Sequence, residues 1–249
     1  MNLVKDFYRR EEALRRLIRE LSRAPGARML DVGCRKGEIT RVLAEDKRFV
    51  AALDIDRFGE WLEPSSRIGF VNGDAMRLPF RDGCFDIVVS GECLQYVPDW
   101  RRALDEMQRV LKPGGRLVLS CPNGNPLIDG LDPYNLTYWL RWLFKPSTVR
   151  GRSMVRHLRP RRLLGHQQAA WKSESFVRRG SLGFIYAAFL IDNLQNVRKR
   201  LQRGSGAARW AAERCVKPSI KLLFRIMRLD FSLSLGGLSY NAVYCFRKK

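Results

Sequence analysis

The chain has 249 residues, 45% of them hydrophobic, with 46 Lys and Arg against 25 Asp and Glu and a formal net charge of +21, a length that suits one cofactor domain with an elaboration. The charge is uneven: residues 1–120 carry 22 basic and 19 acidic side chains, residues 121–249 carry 24 and 6, so the second half faces a polyanion, either nucleic acid or an anionic membrane surface. The six cysteines (Cys34, Cys84, Cys93, Cys121, Cys215 and Cys245) form no C-x-x-C pair, which argues against zinc or any other metal site and suits reduced thiols in a cytosol.

The first dozen residues are rich in charge, from Lys5 to Glu12, and hold no apolar core of a signal peptide. Residues 3–22 space Leu3, Phe7, Leu14, Leu17, Ile18 and Leu21 as a leading amphipathic helix, which Ala24-Pro25-Gly26 ends. The pattern then alternates: strand 27–32, helix 37–46, strand 48–54, a short helix near 57–63, strands 67–71 and 84–90, helix 99–111 and strand 115–121. Alternation of this kind predicts an α/β, doubly wound, mostly parallel sheet. Beyond Pro122 the texture turns to stretches dense in Arg and Trp. Residues 122–237 read as a basic, largely helical cap, and residues 1–121 with 238–249 as the cofactor domain. Strands at 170–178 and 238–246 are placed to close the far edge of the sheet. The apolar run Leu182 to Ile191 is about half of the ~20 residues that a spanning helix needs, so no transmembrane segment is expected and the chain reads as cytoplasmic.

The stretch Met29-Leu30-Asp31-Val32-Gly33-Cys34-Arg35-Lys36-Gly37 carries most of the functional signal. It runs an apolar strand into an acid and a glycine turn that opens a helix. Glycine there permits positive φ and close approach of backbone to a ligand, while the helix behind it offers free N–H groups. Asp54, Asp74 and Asp86 follow on later apolar runs. In a doubly wound sheet, ligands sit beyond the carboxyl ends of the strands, and Asp54 ends the second strand, where a carboxylate accepts both hydroxyls of a ribose. A dinucleotide fingerprint G-x-G-x-x-G fails, because its three positions hold Gly33, Arg35 and Glu38.

Residues 27–122 resemble the class I S-adenosylmethionine-dependent methyltransferases almost continuously, and in particular those of quinone pathways. The family's glycine loop matches Asp31 to Gly37 and its ribose acid Asp54. Gly73-Asp74-Ala75 followed by Leu78-Pro79-Phe80, Cys84 to Ser90, and Arg109-Val110-Leu111-Lys112-Pro113-Gly114-Gly115 also match. The resemblance implies a Rossmann-like seven-stranded sheet, S-adenosyl-L-methionine as cofactor, and a binding set of Asp31, Gly33, Cys34, Gly37, Asp54, Ile55, Asp74, Ala75 and Ser90. Two departures stand out. Arg35 occupies the loop's usual middle glycine, so its side chain must point away from the cofactor. The family's Glu-x-Leu-Glu-His-Val reads Glu92-Cys93-Leu94-Gln95-Tyr96-Val97, which puts Tyr96 in the histidine position.

Methyl transfer from a sulfonium depends mainly on positioning, and a base is needed only for weak nucleophiles. Candidates for catalytic contact are Glu92, Tyr96, and the two histidines His157 and His166, which lie among the arginines of the cap. Lys145 to Arg179 holds ten basic residues and Arg198 to Arg228 ten more, interleaved with Trp139, Trp142, Phe144, Trp171 and Trp210. Leu136–Phe144 and Ile220–Leu229 read as basic amphipathic helices, which suit an anionic membrane interface or simply cover the sheet. The expected acceptor is small, amphiphilic or lipid-linked, and presented at a membrane surface. The alternatives are an RNA methyltransferase whose cap grips phosphates, or a cofactor-binding protein that has lost its chemistry.

Overall fold

The computed structural model describes residues 26–44, 49–62, 67–122, 131, 133, 136–137, 170–179, 182–232 and 241–249. The helix expected at 3–22, most of the one at 136–144, and His157 and His166 lie outside them. The described residues divide into two units: 26–122, 170–177 and 243–249 in the first, 131–137 and 178–242 in the second.

The first unit is built on seven strands, β1 (Met29–Val32), β2 (Val50–Asp54), β3 (Ile68–Asn72), β4 (Phe85–Gly91), β5 (Leu111–Pro122), β6 (Trp171–Arg179) and β7 (Asn241–Lys248). They lie in the order β3-β2-β1-β4-β5-β7-β6, and the pairs β3–β2, β2–β1, β1–β4 and β4–β5 are parallel. Strand order reverses between β1 and β4, which opens a crevice at their carboxyl ends. Every residue of β1 and β2 is buried, as continuous apolar runs demand of strands covered on both faces. Met29, Val50, Ile87, Val89 and Val118 pack on one face with Leu43 of helix α1 (Glu38–Leu43), and Cys245 of β7 joins the same cluster.

Helix α2 (Trp100–Val110) starts where Asp99 Oδ1 accepts the N–H groups of Arg101 and Arg102 at 3.1 and 3.2 Å. It buries Trp100, Ala103, Leu104, Met107 and Val110, a helical period read directly from the sequence. β5 starts four residues earlier than the pattern suggested. Leu111 pairs with Phe85, and the ladder resumes at Arg116 with Ile87, so Lys112-Pro113-Gly114-Gly115 forms an irregularity inside the strand rather than a loop before it. The short helix near 57–63 is one tight turn at Gly59–Leu62.

Two charged groups fasten the loops of this unit. Arg109 donates to Glu106 at 2.8 Å, to Asp82 at 2.6 Å and to the carbonyls of Phe80 and Leu78 at 2.8 and 3.0 Å, clamping the segment 78–82 onto α2. At the far edge, Glu174 of β6 accepts from Arg116 of β5 at 2.9 Å and lies 3.6 Å from Arg247 of β7. Burial first, and then the nearby Glu174 carboxylate, push the Cys245 thiol up to about 12.

In the second unit, helix α3 (Leu182–Gln202) packs against a helix that runs from Gly206 to Ser232 as α4 (Gly206–Ala211), a wide π turn (Ala212–Val216) and α5 (Lys217–Ser232). Pro218 accounts for the wide turn, since its ring would clash with a carbonyl one regular turn back. Glu213 accepts from Lys217 at 2.6 Å, Arg198 at 2.7 Å and Gln202 at 3.1 Å, tying the two long helices together. Those donors, Lys217 foremost, hold its carboxyl down at about 2. No described helix is long and apolar enough to cross a membrane.

Hydrogen bonds from Arg109 hold the Glu106 carboxyl below its ordinary 4.5. The pair therefore stabilises the fold fully above that value and is lost as pH falls through the lower folded value. Arg109→Ala is expected to cost about 2 kcal/mol at neutral pH. In urea unfolding followed across pH 2.5–7, the variant should show a shallower acid loss than wild type; parallel curves would contradict the pairing.

Candidate functional site

The chain leaves β1 through a loop that is left-handed at every second residue: Gly33 (φ 81), Arg35 (φ 46) and Gly37 (φ 81). The N–H groups of Gly33 and Cys34 both donate to Leu53 O on β2, at 2.8 and 3.0 Å, and Gly37 N donates to Cys34 O at 2.8 Å. Gly33 is required twice over. Its φ is one that side chains rarely adopt, and a Cβ there would overlap Sγ and Cβ of Cys93.

Arg35 keeps the turn that a glycine would make. Its side chain is exposed, and the left-handed conformation costs an L residue roughly 1–2 kcal/mol. Both sides of the residue are pinned in compensation: Arg35 N donates to Asp54 Oδ2 at 2.8 Å, and Arg35 O accepts from Trp61 Nε1 at 2.6 Å. The Trp61 ring stacks on Phe70, with centroids 5.1 Å apart and planes 10° from parallel. Lys36 pairs with Glu60 at 2.6 Å, and Arg41 donates to Glu60 O at 2.8 Å. The turn Gly59–Leu62 thus clasps the outside of the glycine loop. Sequence reasoning missed Trp61 and Glu60; a non-glycine at the middle of the loop was the signal that some outside support was needed.

Asp31, Cys34, Asp54, Ser90 and Cys93 converge on this loop. Asp31 is 1% exposed and accepts from Thr40 Oγ1 at 2.6 Å. Asp54, 8% exposed, accepts from Arg35 N at one oxygen and from Asp56 N, at 3.0 Å, at the other, leaving capacity on both. Burial, and then the charges of Asp54 and Asp31, push the Cys93 thiol up to about 12; the same causes raise Cys34 further. Two buried carboxylates, Asp31 and Asp54, thus lie beside the loop. Ser90 Oγ is buried without an oxygen or nitrogen partner, beside the Cys93 thiol.

Next to Asp54, Ile55 is 68% exposed although it is a large aliphatic side chain. Asn72 fixes this corner by donating to the carbonyls of Asp54 and Ile55 at 3.1 and 2.7 Å. Gly73 N donates to Asp54 O at 2.9 Å, which brings Asp74 and the buried Ala75 to the end of β3. Asp74 Oδ1 accepts from Met76 N at 2.8 Å.

Asp86 does not join them. It stands near the start of β4, where its oxygens accept from Arg28 N at 2.9 Å and Lys112 Nζ at 2.7 Å, so it is a strut at the opposite end of the strand. Glu92, just past β4, has φ 52; its N–H donates to Ser120 O at 2.9 Å and its Oε2 accepts from Gln95 Nε2 at 3.0 Å. Gln95 is buried with Oε1 unpartnered, and Tyr96 is 58% exposed.

This geometry has known counterparts. Residues 30–119 match the family described as "Methyltransferase domain". Over that stretch the chain is similar to class I S-adenosylmethionine-dependent methyltransferases. A demethylmenaquinone methyltransferase of Lysinibacillus sphaericus is 41% identical over 102 residues, 38% of this chain and 44% of that protein. A 2-methyl-6-phytyl-1,4-hydroquinone methyltransferase of Synechocystis is 39% identical over 102 residues, 39% of this chain and 32% of that protein. The chain thus spans about half or less of the length of these curated relatives. Among solved structures, a geranyl diphosphate methyltransferase in complex with SAM superposes with TM-score 0.60 at 15% identity, covering 99% of this chain and 89% of that one. The [4+2]-cyclase SpnF gives 0.61 at 19%, covering 95% and 80%. A cyclase beside a methyltransferase shows that these likenesses establish the fold, and that the reaction must be argued from the site.

Trp61→Phe retains a ring on Phe70 and removes the donor to Arg35 O, and is expected to lower stability by about 1 kcal/mol. Adding Arg35→Gly should recover that loss, because glycine adopts φ 46 unaided. Calorimetric melting of both single variants and the double variant reads this directly; a double variant less stable than Trp61→Phe alone would contradict it.

Proposed function

We propose that the chain transfers the methyl group of S-adenosylmethionine to an amphiphilic, quinone-type acceptor presented at a membrane surface. The observation that carries the donor side is Asp54: a nearly buried carboxylate at the end of β2, oriented by two backbone N–H groups and retaining acceptor capacity for a ribose. The local chemistry fits the rest of the cofactor. Asp31 and Asp54 set two buried carboxylates beside the loop, which suits a sulfonium cation, and exposed Ile55 offers an apolar face for a base. Ser90 Oγ and Gln95 Oε1 retain unspent hydrogen-bonding capacity.

S-adenosylmethionine, when bound, would supply an electrophilic methyl group whose transfer leaves the bonding pair on sulfur and releases the acceptor's proton to solvent or to a nearby base. The protein's contribution is placement. Gly33, Cys34 and Gly37 shape the floor, with Asp31 beneath it. Asp54, Ile55, Asp74 and Ala75 hold the nucleoside side. Glu92 and Tyr96 follow β4 past the same end of the sheet and are the described groups assigned to meet the acceptor; Gln95 steadies the Glu92 carboxylate. The quinone-type acceptor is supported by the printed activities of the two relatives, and the amphiphilic presentation by the basic second half of the chain.

Asp54→Ala should weaken S-adenosylmethionine binding at least tenfold, about 1.4 kcal/mol, by titration calorimetry; an unchanged affinity removes Asp54 from the site. For the acceptor, methyl-labelled cofactor is incubated with the protein and a whole-cell extract. Label in the organic phase is expected, whereas label confined to the aqueous phase would turn the reading toward RNA or a soluble acceptor.

A further inference from the structure

Helix α5 buries Ile220 at 1% exposure and turns Leu222, Ile226 and Leu229 outward at 57, 45 and 71%. Spaced by four and three residues, these three share one side of the helix. Lys221 and Arg225 are exposed alongside them, and on α4 the Trp210 ring is 62% exposed. Within Arg198 to Arg228 the single acid is Glu213, which Lys217 and Arg198 already occupy. Among the described residues, Arg209, Arg214, Lys221 and Arg225 have no acidic partner.

We propose that the continuous helix from Gly206 to Ser232 is a docking surface for an anionic lipid bilayer, with Leu222, Ile226 and Leu229 entering the interface and Lys221 and Arg225 meeting the head groups. The proposal rests on the reading of an amphiphilic acceptor and adds the element that brings the enzyme to it. Charge and apolar surface together select the partner. A bilayer rewards both the aliphatic stripe and the cations beside it. RNA offers phosphates to the arginines and stacking to aromatic rings, and gains nothing from covering three aliphatic side chains. A second copy would set one strongly basic surface against another.

Cys215 supplies the means of testing this. It is exposed within the wide turn of the same helix, whereas Cys34, Cys121 and Cys245 are buried and Cys84 and Cys93 half-buried. An environment-sensitive fluorophore on Cys215 of the full chain is titrated with vesicles of phosphatidylcholine alone, or mixed with phosphatidylglycerol, and binding is checked by flotation. Mixed vesicles should bind at least ~10-fold tighter and move the probe to an apolar environment. Leu222→Ser with Ile226→Ser and Leu229→Ser should lose about tenfold or more. Lys221→Gln with Arg225→Gln should lose about fivefold for each charge. All variants should keep the wild-type affinity for S-adenosylmethionine, which shows that they are folded.

Equal binding to both vesicles, triple-variant binding equal to wild type, or tighter binding to duplex RNA at the same salt each overturn the proposal, as does a dimer that shields Cys215. Organic-phase label from the extract without vesicle binding would remove the docking surface and leave the acceptor reading intact. Vesicle binding with label confined to the aqueous phase would do the reverse.

Discussion

The end of the sheet that holds the glycine loop after β1 is organised by the carboxylate of Asp54. One oxygen takes the N–H of Arg35 and the other that of Asp56, so a single side chain fixes both the glycine loop after β1 and the turn after β2. Its own carbonyl receives Gly73 N and Asn72 Nδ2, which brings in the end of β3. Three strand ends are thus referred to one residue, whose carboxylate is the one proposed to take the ribose. Such preorganisation is what a reaction that depends on positioning requires.

The glycine loop departs at Arg35 from the pattern of the methyltransferases it resembles, and the surrounding structure accommodates the departure. A left-handed arginine is held from inside by Asp54 and from outside by Trp61, whose ring is in turn fixed on Phe70. The loop conformation is therefore a property of tertiary contacts as much as of its glycines. Gly33 remains indispensable for another reason, because Cys93 fills the space that a side chain would need.

The sheet and its order of elements were legible in the sequence wherever a buried strand wrote a continuous apolar run, as in 29–32, 50–54 and 85–90. Helix α2 was legible through Asp99 and its apolar spacing. Less was legible where a feature depends on contacts distant in sequence. Lys112-Pro113-Gly114-Gly115 looks like a terminator, yet pairing of Leu111 with Phe85 draws it into β5. Asp86 resembles the site acids in its local pattern, and only strand register reveals that Arg28 and Lys112 claim it at the other end. The clasp by Glu60 and Trp61 has no local signature beyond an aromatic in a short helix. The side chains of Asp31, Cys34, Asp54 and Ser90, four of the nine residues that the resemblance implies for the cofactor, lie together beside the glycine loop. The second half of the chain announces its charge without saying which faces are open; the burial of Ile220 and exposure of Leu222, Ile226 and Leu229 separate them.

The ends of β1, β2 and β3 together are proposed to form one cofactor site. Amide hydrogen exchange of the full chain, with and without S-adenosylhomocysteine, tests this most directly. Protection should rise at residues 33–37, 54–56 and 73–75 and stay unchanged around Asp86 and Lys112. Protection absent from those three segments, or gathered at the opposite end of the sheet, would contradict it.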